Sequence, residues 1–356
     1  MMRQLLKLSV LTAICSLATM ASAETRVIGY VPSWAQYTQF YAKDVQYNFL
    51  THIHYGYMLP DASGAIAISD AGAQVNYEEQ VKLAKEHGVK IVVSVGGPGN
   101  AEAMKAASAD AVRATFVKNI VGLVKKDRLD GIEIDWLPEA TDKGIYASLL
   151  KELAQAFAQE SPKPILTATL PWSEDAAAGI DPDALAGCDY VTVQAMDLMD
   201  DSKTTLEPNT NISVTTKALS MWEGKGVPAD KLVPVVPFYG RSFKGAKGLG
   251  TTFTGVGSGN EGVLNYKDLM EKFDGPAYKV TFDDASQSEV AVSADETIIF
   301  SGIPSVKAVA TLVKGKNYGG VAAYDLSGDY PQWKVSLLVT IGHVLRPSID
   351  YKAKQK

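Results

Sequence analysis

Short runs of apolar and β-branched residues alternate along the chain with longer stretches of mixed polarity. Eight such runs predict strands: Arg26–Tyr30, Phe49–Tyr57, Lys90–Val95, Gly131–Trp136, Ile165–Leu170, Tyr190–Gln194, Leu232–Phe238 and Gly320–Leu326. Their nearly continuous apolar character suits parallel strands covered on both faces. Between them the spacing is helical. Tyr77–Glu86 runs into His87 and Gly88, and glycine is a ready C-cap. Ala111–Lys126 and Ile145–Gln159 are rich in Ala, Leu, Lys and Val. Strands alternating with helices in this number predict an α/β chain folded as a (β/α)8 TIM barrel.

One connection breaks the rhythm. About 75 residues separate Phe243 from the last strand, and structureless loops of that length are rare in compact domains. The stretch opens rich in Gly, Thr and Ser (Gly245–Gly262) and continues with strand-like runs at Tyr278–Phe282 and Thr297–Phe300. The expected organisation is a barrel of residues 24–243 and 301–346. A small α+β insertion, residues 244–300, separates its seventh and eighth strands. The basic tail Tyr351–Lys356 is expected to fray.

The N-terminus carries Arg3 and Lys7, an apolar run from Leu8 to Met20, and then Ala21-Ser22-Ala23. That order predicts a signal peptide over residues 1–23, cleaved after Ala23. The run falls short of the roughly 20 residues a membrane span needs, so a secreted or periplasmic protein is expected. Cleavage moves the charge balance from 34 − 40 = −6 to 32 − 40 = −8. An acidic secreted chain is a poor partner for nucleic acid or anionic membrane, and a monomer is expected. Of the two cysteines, Cys15 leaves with the signal. Cys188 is then alone, cannot form an internal disulfide, and reads as a small buried apolar residue.

Candidate chemistry concentrates in Asp130-Gly131-Ile132-Glu133-Ile134-Asp135-Trp136-Leu137. Residues i and i+2 of a strand share a face, which aligns Glu133, Asp135 and Leu137. Two carboxylates facing a barrel interior are costly unless used or paired, so the pair belongs to a site or to an internal hydrogen-bond network. Glu139 has the right parity but lies beyond Pro138 and roughly 6–7 Å further along. His52 and His54 form a His-x-His that could begin a metal site. The only other histidines, His87 at a helix end and His343 near the C-terminus, are poor further ligands. A core or polar-network role is expected, with no metal and no cofactor.

The segment Asp130–Leu137 resembles the signature of glycoside hydrolase family 18, the chitinase family: Asp-Gly-x-Asp-x-Asp-x-Glu. Further segments resemble that family in the same order. They are Val27-Ile28-Gly29-Tyr30-Val31-Pro32-Ser33-Trp34, Leu50–Tyr57, Ser94-Val95-Gly96-Gly97, Pro237-Phe238-Tyr239-Gly240-Arg241-Ser242-Phe243, and Gly319–Val321 with Asp325–Asp329. The resemblance implies substrate-assisted, retaining hydrolysis, in which the sugar's own N-acetyl oxygen is the nucleophile. It places Leu137 where the proton-donating glutamate belongs. Asp135 falls at the carboxylate that orients the acetamido group, and Glu133 at the innermost aspartate, one methylene longer. Gln194-Ala195-Met196-Asp197 falls at the family's Met-x-Tyr-Asp, keeping Asp197 but putting Met196 at the tyrosine. Tyr324 stands at the tryptophan that floors the cleavage subsite.

Tyr30, Trp34, Trp172, Tyr239 and Tyr324 fall at or just past the C-terminal ends of strands, where barrel active sites form. Aromatic platforms there suit sugar rings; core packing is the alternative. Arg241 belongs near the site or in an ion pair with a barrel carboxylate. The expected partner is a chitooligosaccharide or another N-acetylglucosamine-containing glycan, bound with little or no hydrolysis, as in animal chitinase-like lectins that also carry leucine at the acid position. Two alternatives stay open: an active glycosidase using a displaced acid such as Glu139, and a non-catalytic interaction or inhibitor barrel.

Overall fold

The computed structural model describes residues 25–199 and 203–348. The expected signal peptide and the tail Tyr351–Lys356 lie outside the described residues. Eight parallel strands form the core: β1 Arg26–Pro32, β2 His52–Pro60, β3 Lys90–Gly96, β4 Gly131–Asp135, β5 Ile165–Pro171, β6 Tyr190–Gln194, β7 Leu232–Pro237 and β8 Gly320–Tyr324. Each pairs with the next in sequence, and β8 pairs back onto β1 to close the barrel. A short antiparallel strand, Ile66–Ile68, adds to the end of β2.

Strand alternation divides the barrel into two media. On β2, β3 and β4, Ile53, Tyr55, Ile91, Val93, Val95, Ile132 and Ile134, with Trp136 just past the end of β4, face outward into one apolar layer beneath the helices. The alternate positions point inward, and several are polar: His54, Ser94 and Glu133, joined by Thr167, Thr169 and Thr192, are all fully buried. Most barrels of this type fill the interior with branched aliphatic side chains. Here a smaller apolar cluster of Ile28, Tyr190, Val233, Val235 and Ala322 shares that space.

One covering helix extends well beyond its expected limits. Ala71–Glu86 starts six residues before Tyr77 because Asp70 caps it, accepting the Ala73 N–H. Arg113–Asp127 and Lys143–Phe157 match their expectations to within two residues. Ala101–Ser108, Ile212–Gly224, Ile303–Lys316 and Leu337–Leu345 complete the set of longer helices. No helix among the described residues is long and apolar enough to cross a membrane.

The insertion is an antiparallel sheet with one short helix, Tyr266–Lys272. It opens at Tyr239 rather than at 244. The seventh barrel strand stops at Pro237, and Tyr239–Lys244 becomes the inserted sheet's own strand, paired with Glu296–Phe300. Cys188 is buried, and burial pushes its thiol up to about 12, which leaves it unreactive near neutral pH.

Candidate functional site

Glu133 is the hub of the barrel floor. Its Oε1 accepts hydrogen bonds from the Tyr30 hydroxyl at 2.7 Å and Thr192 Oγ1 at 3.0 Å, while Oε2 accepts from Ser94 Oγ at 2.5 Å. His54 Nδ1 stands 3.1 Å from Oε2 without the alignment of a hydrogen bond. The other nitrogen of His54 shares a 2.8 Å hydrogen bond with the Tyr190 hydroxyl. Burial works to raise the Glu133 carboxyl, but His54 and the hydrogen bonds from Ser94 and Tyr30 outweigh it and hold the group below its usual range. Glu133 is therefore ionised and its lone pairs are occupied.

The His-x-His pair is absorbed in this architecture. His54 belongs to the Glu133 network, and His52 contacts Thr51 Oγ1 at 2.8 Å with its ring edge-on to Tyr190. Among the described residues no group of three or more His, Cys, Asp or Glu side chains is arranged to hold a metal ion. Tyr30 is also a floor residue. It lies two positions before the end of β1 and is 2% exposed, so its ring packs against His54 and Tyr324 inside the barrel.

Asp135, one step nearer the mouth, sits in a different environment. It is buried, and one oxygen, Oδ2, has no hydrogen-bond partner. Burial, followed by the negative charge of Glu133, raises its carboxyl to about 7; hydrogen bonds from Thr169 and Tyr57 only partly offset this. The Tyr57 hydroxyl also stands 3.4 Å from the Tyr324 hydroxyl, closing one wall beside Asp135. The Ser94-Val95-Gly96-Gly97 segment explains itself at this point. A Cβ on Gly96 would lie 2.4 Å from the Asp135 carbonyl oxygen, and one on Gly97 would lie 2.5 Å from the Tyr57 ring. Ser94 thus holds Glu133 while the two glycines let the chain pass Asp135 and Tyr57.

Past Asp135 the strand ends, and the alternation continues into the loop. Trp136 turns outward and packs edge-on against Tyr146 with ring centres 5.7 Å apart. Leu137, next in the alternation, is 41% exposed, unusual for a leucine directly after a core strand. Trp34 and Trp172 are exposed to a similar degree, and Trp34 lies 6.0 Å from the Tyr57 ring. Glu139 is exposed two residues beyond Leu137, and its negative charge acts on Lys105, which is ion-paired to Asp142.

Across the mouth, Asp197 accepts a hydrogen bond from the Tyr239 hydroxyl at 2.6 Å and faces Arg241 at 3.4 Å. Arg241 is thus ion-paired to a carboxylate. Tyr239 and Arg241 reach Asp197 from the inserted sheet, so the insertion supplies part of this wall. Met196 is partly buried and packs with Tyr324 against the interior apolar cluster. Sequence reasoning passed over Tyr57, Thr169 and Thr192. The inward parity of Tyr57 is unreadable because the β2 register shifts between Gly56 and Met58, and threonines at inward positions of β5 and β6 look like ordinary strand residues.

A family model for glycosyl hydrolases family 18 matches residues 26–329. Chitotriosidase-1 of Mus musculus is 26% identical over 348 residues, covering 85% of this chain and 73% of that protein. Catalytic domain 2 of the Ostrinia furnacalis Group II chitinase, solved as a glutamate-to-leucine mutant in complex with (NAG)5, aligns with a TM-score of 0.83 at 23% identity, covering 90% of this chain and 96% of that one. Human YKL-39, described as a pseudo-chitinase with retained chitooligosaccharide binding properties, aligns with a TM-score of 0.81 at 19% identity, covering 90% and 99%. At these identities the two structures share the fold with this chain. The extent of the family match carries the assignment: the chain belongs to glycosyl hydrolase family 18.

Proposed function

We propose that this chain binds chitooligosaccharides, or other glycans containing N-acetylglucosamine, in the barrel mouth and hydrolyses them little or not at all. One observation carries the reading. At the mouth, a buried carboxylate with an unpartnered oxygen, Asp135, stands next to an exposed leucine where a proton donor is required. An unpaired buried acceptor is costly, and the N–H of a sugar's acetamido group is the kind of donor that would satisfy it. Tyr57, Tyr324, Trp34 and Trp172 supply aromatic faces for sugar rings around it.

The chemistry fails at one step. In substrate-assisted hydrolysis the acetamido oxygen attacks the anomeric carbon, so the protein needs no nucleophile. It must still protonate the leaving oxygen, and leucine has no proton to give. General acid catalysis contributes about 10²–10⁴-fold. The leucine-bearing Ostrinia mutant with its bound (NAG)5, and the pseudo-chitinase described as retaining oligosaccharide binding, support separating binding from cleavage on this fold.

The test is titration calorimetry with chitohexaose together with product analysis after prolonged incubation. Binding without released sugar is expected, and Glu139→Gln should change neither readout. Turnover that disappears in Glu139→Gln would assign the acid to Glu139 and overturn the non-cleaving reading. Absence of both binding and turnover would favour a protein-binding barrel. We further propose that residues 1–23 direct export, so the N-terminus of the exported protein should be Glu24.

A further inference from the structure

The pole of the barrel opposite the mouth carries a cavity of about 360 Å³ that the glycan site does not use. Strand register builds it. His52 on β2 is the direct neighbour of Ile28 on β1 and of Lys90 on β3, so Arg26, His52 and Lys90 gather at the N-terminal ends of three adjacent strands. Arg346, just after the last helix, joins them, with Asp189 and Tyr190 also lining the cavity. The Arg26 guanidinium lies 4.7 Å from the centre of the Tyr190 ring, and its Nη1 donates to the carbonyls of Asp230 and Gly319, both at 3.2 Å. These contacts hold its position without neutralising its charge.

The charges in this cavity are unbalanced. Among the described residues neither Arg26 nor Lys90 forms an ion pair with a carboxylate. Asp189, the acid in the lining, is already occupied: Oδ1 accepts from Lys163 at 2.9 Å and Oδ2 from the Leu166 N–H at 2.9 Å. His52 is kept neutral near pH 7 by burial first, and then by His54, Lys90 and Arg26. Two uncompensated cations and Arg346 therefore share one concave surface, whose walls focus their field. Guanidinium and ammonium groups converging on a cavity of this size fit a tetrahedral oxyanion, bound through charge-assisted hydrogen bonds.

We propose that this pole binds a phosphate or sulfate group, either as the free ion or as an ester on a small sugar. The cavity lies at the lower end of the range of small-molecule sites, roughly 300–1,000 Å³, which accommodates both forms. The site is independent of the mouth and of the glycan reading.

Thermal unfolding and calorimetry of the full chain, titrated with sodium phosphate or sodium sulfate against chloride at constant ionic strength, test it. A saturable rise in Tm is expected. Lys90 is exposed and its side chain makes no hydrogen bond among the described contacts, so Lys90→Gln should fold and weaken phosphate binding about 10-fold. Lys90→Glu should abolish it, and Tyr324→Ala should leave it unchanged. N-acetylglucosamine 6-phosphate runs in parallel: tighter binding than inorganic phosphate makes the ester the ligand, and equal binding makes it the free ion. The proposal is overturned if neither anion gives a saturable response. It is equally overturned if the response survives intact in both Lys90→Gln and Arg346→Gln, the second variant guarding against misfolding of the first.

Discussion

Glu133 and Asp135 sit two residues apart on one strand and face the same interior, yet the fold treats them in opposite ways. Glu133 receives hydrogen bonds from three strands and a histidine beside it, so its charge is stabilised below the usual carboxylate range. Asp135 is also buried, has an unpartnered oxygen, and is raised by that burial and by Glu133 itself. The floor of the barrel is finished and the level above it is not. A satisfied polar network specifies structure, whereas a buried acceptor without a donor is a place for a ligand or a proton. The barrel interior thus has a fully hydrogen-bonded floor and, one level above it, a carboxyl with an unpartnered oxygen, and the boundary falls between positions 133 and 135.

The largest effect expected from breaking this contrast is at the floor. Glu133→Ala leaves Tyr30, Ser94, Thr192 and His54 without their shared acceptor, and removing one partner of a buried charged network costs about 3–5 kcal/mol. Urea denaturation at pH 7 should show that loss, while Asp135→Ala under the same conditions should be neutral to stabilising, because it removes a carboxyl whose ionisation the fold opposes. Equal losses for the two variants would erase the distinction between floor and mouth.

A second test concerns the level above Asp135. Leu137→Glu installs a proton donor where the side chain already faces solvent. Release of sugar from chitohexaose is expected to rise about 100-fold over the parent, the low end of what general acid catalysis contributes, because Met196 stands where the family resemblance calls for a tyrosine. A silent Leu137→Glu that becomes active only with Met196→Tyr would place the loss of catalysis in the acetamido pocket as well as at the acid.

How far the sequence foretold this contrast depends on the range of the interactions. The barrel was legible because eight apolar runs at nearly regular intervals have few other ways to bury both faces, and the strand bearing Glu133 and Asp135 announced itself by carboxylates in an apolar run. The division of labour between those acids was not legible. It depends on Tyr30, Ser94 and Thr192 arriving from strands distant in sequence, and on a shift in β2 that moves Tyr57 beside Asp135. Tyr30, counted from the sequence among the rim aromatics, lies on the floor for the same reason: β1 runs two residues beyond it. The start of the insertion at Tyr239 was masked because Pro237–Phe243 resembles the family as one unbroken segment, although the chain changes sheets at Phe238.

Proton linkage offers a third, smaller test. An acid whose folded pKa lies above its unfolded value holds its proton more tightly in the folded state. Its contribution to stability therefore falls as pH rises from the unfolded value, near 4, to the folded one. For Asp135 the upper limit is about 7, so the parent should be roughly 2–3 kcal/mol less stable at pH 8 than at pH 5 from this group. Asp329, raised to about 6, adds a slope of the same sign in both proteins. Asp135→Asn should remove its own share and flatten the urea-denaturation profile relative to the parent. A slope identical in the two proteins would show that Asp135 ionises freely, and its unpartnered oxygen would then have solvent access.

The smallest expected effect bears on where the ligand sits. The Tyr324 ring lies 5.4 Å from Tyr30 on the floor, and its hydroxyl meets Tyr57 beside Asp135, so this one side chain spans the boundary between the two levels. On the proposed reading, a sugar whose acetamido group reaches Asp135 rests on that ring. Loss of an aromatic stacking surface is worth about 0.5–1.5 kcal/mol beyond its buried area. Tyr324→Ala should therefore weaken chitohexaose binding about 10-fold in calorimetry, and Tyr324→Trp, with a larger face, should tighten it. An unchanged Kd in both variants would move the glycan away from Asp135, toward the exposed rim of Trp34 and Trp172. The unpartnered oxygen would then have lost its part in recognition.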